Sequence, residues 1–392
     1  MDSASSSGRC AVRAGRVILD GGSIGPATIM IDEGRIDGIE PGHPTVDRRT
    51  IGDGSDVVAA GLIDVHTHGA AGVQVIDGDP HAMRDLASFY AAHGVTSFLA
   101  TIGGSDGSIR AGIRAVTEGT REAHPRAGAR CRGIHLEGPF INGCRPGAFD
   151  PDSIVAPDRD LFDRYVELAG GHVRHITLAP EVPGAEDVIA RARHLGITVA
   201  AGHSAATAHE FLDAIELGVG SVTHLFNAMS PLHHREPGVI GVALTDHRIT
   251  SELIADGVHV APRTIDVVHR SCSTRRIALI TDSIAAAGLP DGTYRFEEQE
   301  ITVSDGQARL ADGTLAGSTV TLDLAVRNFA SFAGIAWDEA IVSATATPAD
   351  MIGLAHSGRI AVGGDGDLVG FSDDGHVRWT MVAGMVVHGE GS

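Results

Sequence analysis

The chain has 392 residues, 43% of them hydrophobic, with 30 basic against 50 acidic side chains and a formal charge of −20. That length exceeds one ordinary core, the apolar fraction excludes a disordered chain, and the acidic balance argues against nucleic acid or an anionic membrane as main partner. All 30 basic residues are arginine; a Walker-type phosphate loop, Schiff-base or Lys-bound pyridoxal phosphate chemistry and a carbamylated-lysine metal bridge are therefore excluded.

The opening MDSASSSGRCAVRAG lacks the apolar run of a signal peptide. No stretch reaches the ~18 uninterrupted apolar residues of a membrane span, and a cytoplasmic location is expected. CAVRAGRVILD, PATIMIDEGRIDGIEPG and VVAAG then read as short strands broken by Gly and Asp, and RIAVGGDGDLVGFSDDGHVRWTMVAGMVVH reads alike at the other end. Two β-rich ends around a different middle predict one small β-sandwich domain built from residues 1–58 and 358–392. Cys10, Cys131, Cys144 and Cys272 lie far apart with no CxxC pair, which predicts buried free thiols.

Between these ends, residues 59–357 alternate short apolar runs with helical patterns. Strands are predicted at Leu62–Val65, Val95–Ala100, Arg132–His135, Arg174–Ala179, Thr198–Ala201, Ser221–Thr223, Thr250–Ala255 and Ile277–Ile280. HAMRDLASFYAAHG places Met83, Leu86, Phe89 and Tyr90 at helical spacing, and AEDVIARARHLG and TAHEFLDAIELG end in Gly as helices often do. Eight such units predict a (β/α)8 TIM-type barrel, with a doubly wound sheet as fallback; both put the chemistry at the C-terminal ends of the strands.

Metal-capable residues stand at those ends: His66-Thr67-His68 after LIDV, Glu137 after GIHL, His203 after TVAAG, His224 after SVT and Asp282 after IALIT. A lone histidine is more often structural, but five sites in register at successive strand ends point to a metal centre. Residues i and i+2 share one face of a strand, so both imidazoles of His-x-His can reach one ion. His66 and His68 can serve one ion and His203 and His224 a second, with Glu137 placed to join both. Imidazole and carboxylate suit Zn²⁺, Fe²⁺, Mn²⁺ or Co²⁺, and such a site lowers the pKa of a bound water towards 7 and polarises a carbonyl. Asp282 is a natural general base for that water and an acid for the leaving group.

The segments GLIDVHTHG, HLEGPFING, AGHSAAT, THLFNAM, REPG, ADGVHV, ITDSIAAAG and LAGSTVTLD carry a resemblance to the amidohydrolase superfamily and, within it, to the N-acetylglucosamine-6-phosphate deacetylases. The resemblance implies hydrolysis of the acetamide of a 2-acetamido sugar phosphate by a homodimer. It implies that Glu137, His203 and His224 hold a primary ion, that His66 and His68 hold a second (zinc being the expected metal), and that Asp282 is the catalytic aspartate. Some relatives replace the His-x-His pair and work with one ion, so its presence here favours two. Asn227 and Ala228 match contacts to the sugar. Arg235 and His259 match residues that hold the 6-phosphate, partly across a dimer interface, and Leu315, Ala316 and Gly317 match a loop closing over substrate. On chemistry alone Arg235 is also a plausible bidentate phosphate fork.

One departure stands out. Where the family commonly offers a hydrogen-bonding histidine, the segment GCRPGAFDP has Phe149, which cannot donate. The same chemistry on another acetamido sugar, such as a galactosamine phosphate, therefore stays open. A non-catalytic sugar sensor is the rival outside enzymes, and the intact Asp282 speaks against it.

Overall fold

The computed structural model describes residues 9–122, 128–297 and 299–389; the first eight residues of the opening segment lie outside the described residues. Eight parallel strands neighbour one another in chain order: β1 (Leu62–Thr67), β2 (Val95–Ile102), β3 (Arg130–Glu137), β4 (Val173–Leu178), β5 (Thr198–Ala201), β6 (Ser221–Val222), β7 (Thr250–Ile254) and β8 (Ile277–Ile280). Every predicted strand is present, so the barrel and not the doubly wound sheet is the fold. β1 to β3 run further than the apolar pattern suggested, because their polar ends find partners inside. Thr67 Oγ1, for example, lies 2.7 Å from both Tyr90 Oη and Ser283 Oγ, and its N–H donates to Thr101 Oγ1 at 2.9 Å.

The helices that return the chain lie outside the barrel, which is why its strands are buried on both faces. Helix Ala82–Ala92 buries Met83, Leu86 and Tyr90 along one stripe, with Phe89 packed partly buried beside it. Helix Ala208–Leu217 opens on a capping box in which Thr207 and Glu210 satisfy each other's backbone N–H, and it closes on left-handed Gly218.

β1 and β8 close the barrel only towards their C-terminal ends. The N–H of Asp282 donates to His66 O at 2.9 Å and that of His68 to Ser283 O at 2.8 Å. Below them the buried Asp64 accepts from Thr281 Oγ1 at 2.6 Å. The seam is thus tightest where the candidate ligands stand.

Strands from both chain ends share a six-stranded sheet: Val57–Ala60 pairs antiparallel with Leu368–Phe371 and parallel with Arg16–Leu19. A four-stranded sheet holding Cys10–Ala14 and Ala27–Asp32 faces it across a second core that includes Val12, Ile29, Ile31, Leu368 and Trp379. All four cysteines are free, but only Cys10 and Cys272 are buried as expected; Cys131 is half-buried and Cys144, in the loop after β3, is exposed. The sequence reading did not anticipate a three-stranded antiparallel sheet, Gly292–Phe296, Gln299–Ser304 and Gln307–Arg309, inserted after β8. Its apolar–polar alternation was the available signal.

Candidate metal centre

His66 lies within β1 and His68 just past it, while Glu137 is the last residue of β3. His203, His224 and Asp282 each stand two residues beyond β5, β6 and β8, and all three adopt positive φ, at 49°, 29° and 49°. Left-handed backbone is strained for such residues and gathers at functional sites. Here it turns the chain out of the strand while the side chain still points into the barrel mouth. Gly317 has φ 59°, and a Cβ there would meet Asp282 O at 2.8 Å, so only glycine lets that loop approach Asp282.

The six side chains form two metal-capable groups, His66–His68–Asp282 and Glu137–His203–His224, all buried. Glu137 faces both. Its Oε1 lies 3.2 Å from His203 Nε2 and 3.1 Å from His224 Nε2; its Oε2 lies 3.0 Å from His68 Nε2 and 3.4 Å from His66 Nε2. Asp282 Oδ1 lies 3.4 Å from His68 Nε2 and 3.5 Å from His66 Nε2. The structure thus brings the two histidine pairs together with Glu137 between them, and Asp282 stands with the His66–His68 pair.

The electrostatics fit a cation. Burial alone would depress the imidazoles, but the neighbouring carboxylates outweigh it: His66 is held well above its ordinary value and His68 is raised to about 9. Burial would raise Glu137 and Asp282, yet the surrounding imidazoles hold both carboxyls below their usual range. His203 Nε2 and His224 Nε2 also face each other at 3.1 Å, close enough for both nitrogens to reach one ion. The donor set, imidazole nitrogen with carboxylate oxygen, is that of Zn²⁺ and neighbouring divalent metals.

Second partners aim the rings. His203 Nδ1 is bonded to Arg145 O at 3.0 Å, and His66 Nδ1 to Glu252 Oε2 at 3.0 Å. Glu181 accepts from Asn142 Nδ2, Ser204 Oγ and Ala205 N, binding the loop after β3 to the loop that carries His203. The sequence reading missed Glu252 and Glu181: mid-strand and loop carboxylates carry no motif until folding gives them partners.

Above the ligands opens a cavity of about 330 Å³ lined by His68, Glu137, His203, His224 and Asp282, and by the expected Phe149, Asn227, Ala228, His259, Leu315 and Gly317. His259 Nδ1 is tied to Asp256 Oδ2 at 2.7 Å. Phe149 packs edge-on against His203, with ring centroids 5.0 Å apart. Ala316 does not line the cavity: it is buried, and its N–H donates to Ala308 O. Arg235 stays outside its own chain's cavity, exposed and bonded to His234 Nε2 at 2.8 Å. Phe296, Arg309 and Thr314 line the cavity and escaped the sequence reading, because the inserted sheet that brings Phe296 and Arg309 there was itself unforeseen.

Such a centre at the C-terminal mouth of a (β/α)8 barrel defines a metal-dependent hydrolase class. The amidohydrolase family model matches residues 57–387, and the chain belongs to that family. It is 35% identical over 363 residues to N-acetylglucosamine-6-phosphate deacetylase of Bacillus subtilis (strain 168), covering 91% of this chain and 92% of the relative. It is 34% identical to N-acetylgalactosamine-6-phosphate deacetylase of Escherichia coli O157:H7, covering 96% and 98%. Among solved structures it is similar to a mutant N-acetyl-D-glucosamine-6-phosphate deacetylase from Mycobacterium smegmatis in complex with N-acetyl-D-glucosamine-6-phosphate: TM-score 0.90, 32% identity, 97% of this chain and 99% of that one. No helix among the described residues is long and apolar enough to cross a membrane.

Proposed function

We propose that the protein hydrolyses the acetamide of N-acetylglucosamine 6-phosphate to glucosamine 6-phosphate and acetate. The observation that carries the reading is the pair of metal-capable groups sharing Glu137 at the floor of a sugar-sized cavity. Relatives 34–35% identical over nine-tenths of the chain and named for this activity support it.

Two divalent ions per chain, zinc foremost and Fe, Mn or Co as alternatives, would be held by His66 and His68 on one side and His203 and His224 on the other, with Glu137 between. When bound, they supply Lewis acidity and lower the pKa of a water molecule. Asp282, buried beside His68, accepts the proton of the attacking water and delivers it to the departing amine as the C–N bond breaks. Asn227 and Ala228 hold the sugar, His259 takes the phosphate end with Nδ1 fixed by Asp256, and the Leu315–Gly317 loop shuts water out above them. The reading includes a cytoplasmic homodimer whose exposed Arg235 reaches a neighbouring cavity. It assigns the chemistry to a barrel of residues 59–357 and support to residues 1–58 with 358–392.

A galactosamine substrate is the second reading, favoured by the Escherichia coli relative and by Phe149 in the cavity wall. Acetate release from N-acetylglucosamine and N-acetylgalactosamine, each with and without 6-phosphate, tests both. The proposal expects the glucosamine phosphate to react fastest; a faster galactosamine phosphate replaces it with the second reading, and no release from any of the four overturns both.

A further inference from the structure

We infer that Glu252, in the middle of β7, is the positioning residue that gives the His66–His68 half of the centre its hold on an ion. The inference rests on the two-ion reading above. Glu252 is fully buried, yet its carboxylate is fully engaged: Oε2 accepts from His66 Nδ1 at 3.0 Å and Oε1 from His175 Nε2 at 3.1 Å. His175 Nδ1 in turn lies 2.7 Å from Thr198 Oγ1, which donates to Arg174 O at 3.0 Å. The carboxylate is therefore strapped to β4 and β5 before it touches His66 on β1.

This contact fixes the His66 ring in two respects. With Nδ1 committed as donor to Glu252, a neutral His66 ring carries its lone pair on Nε2, the atom that faces His68, Glu137 and Asp282. The edge-on ring of His135, with centroids 4.6 Å apart, blocks rotation away from that pose. A carboxylate on the far nitrogen also makes an imidazole a stronger ligand. The other half has no such support. His203 Nδ1 meets only a main-chain carbonyl, and His224 Nδ1 has no protein partner among the described residues. The main-chain oxygen of Glu252 does anchor the loop of the other half, accepting from Leu225 N at 2.8 Å, and a side-chain substitution leaves that bond in place. The Glu252 side chain thus acts on one half of the centre alone.

The test is zinc binding, read as ions per chain and as two dissociation constants against a chelator-buffered Zn²⁺ series, for the wild type, Glu252→Gln and Glu252→Leu. One of the two constants should rise about tenfold in Glu252→Gln, which keeps the shape and loses the charge, and up to about a hundredfold in Glu252→Leu. The other constant should hold. The melting temperature of the zinc-stripped proteins serves as the structural control. If Glu252→Leu does not fold, the isosteric Glu252→Gln decides alone. Two constants unchanged in folded Glu252→Gln, or both weakened equally, overturn the assignment. A wild type that takes up only one zinc at saturation overturns the two-ion reading itself, which is a separate outcome.

Discussion

The main-chain N–H of Asp282 donates to the carbonyl oxygen of His66 across 2.9 Å, joining the last barrel strand's exit to the first strand. The same seam brings Asp282 Oδ1 to 3.5 Å from His66 Nε2. Barrel closure and assembly of the His66–His68–Asp282 group are therefore one event, and an unclosed sheet would leave Asp282 without its partners.

That proximity makes Asp282 the sharpest test of roles. Asp282→Asn keeps the shape and removes the proton acceptor, so turnover should fall by a factor on the order of 10²–10⁴ while metal content stays at two ions per chain. Elemental analysis beside the acetate assay reads both. Loss of an ion together with turnover would make Asp282 a ligand and leave the base unassigned. In the same assay His66→Ala with His68→Ala should drop one ion, and Glu137→Ala should empty or disorder the centre.

Arg235 stands outside its own cavity, so its proposed phosphate contact must cross between subunits. Arg235→Ala should weaken a phosphorylated substrate by about 1.5–3 kcal/mol and scarcely affect the unphosphorylated sugar. Mixing inactive Asp282→Asn with Arg235→Ala after reversible dissociation should restore activity, because one site per hybrid dimer is then intact. Activity that never exceeds the sum of the separate variants would return Arg235 to a surface role.

Phe149 lies against His203 and cannot hydrogen-bond a substrate. Phe149→His should raise turnover on N-acetylglucosamine 6-phosphate if the position has merely lost a donor. Unchanged or lower turnover there, with another acetamido sugar preferred by the wild type, would mean that the cavity is shaped for that sugar.

Away from the centre, Asp323 accepts from His93 Nδ1 at 3.2 Å and from Arg327 Nη1 at 2.9 Å. Burial opposes ionisation, but these partners hold the carboxyl at about 2, below the ~3.9 of an unfolded chain. A depressed carboxyl stabilises the fold above pH ~4 and loses that contribution as pH falls from about 4 to about 2. Wild type should therefore exceed Asp323→Asn by about 2 kcal/mol near neutrality, an advantage that vanishes by pH ~2. Urea unfolding at a series of pH values measures the difference; a gap that persists at pH ~2 would assign it to packing instead.

What the sequence alone determined is everything that rests on local periodicity and on residue chemistry at strand ends. Apolar runs of strand length separated by helical stripes specify strands alternating with helices about a parallel sheet, because each period buries its own face; the strand order that makes it a barrel and not a doubly wound sheet was decided by the tertiary structure. His66-Thr67-His68, Glu137, His203, His224 and Asp282 were legible as candidates because a polar, metal-capable side chain at a strand end interrupts an apolar run where burial would otherwise exclude it. Tertiary structure decided what depends on distance through space. Glu252 lies 186 residues from His66 and bonds to it, Arg309 lines the cavity because an inserted sheet carries it there, and Arg235, for all its motif, does not face its own site. A hydrogen bond or a cavity wall is a relation between chain segments whose separation is set by closing the barrel, and no local pattern encodes that separation.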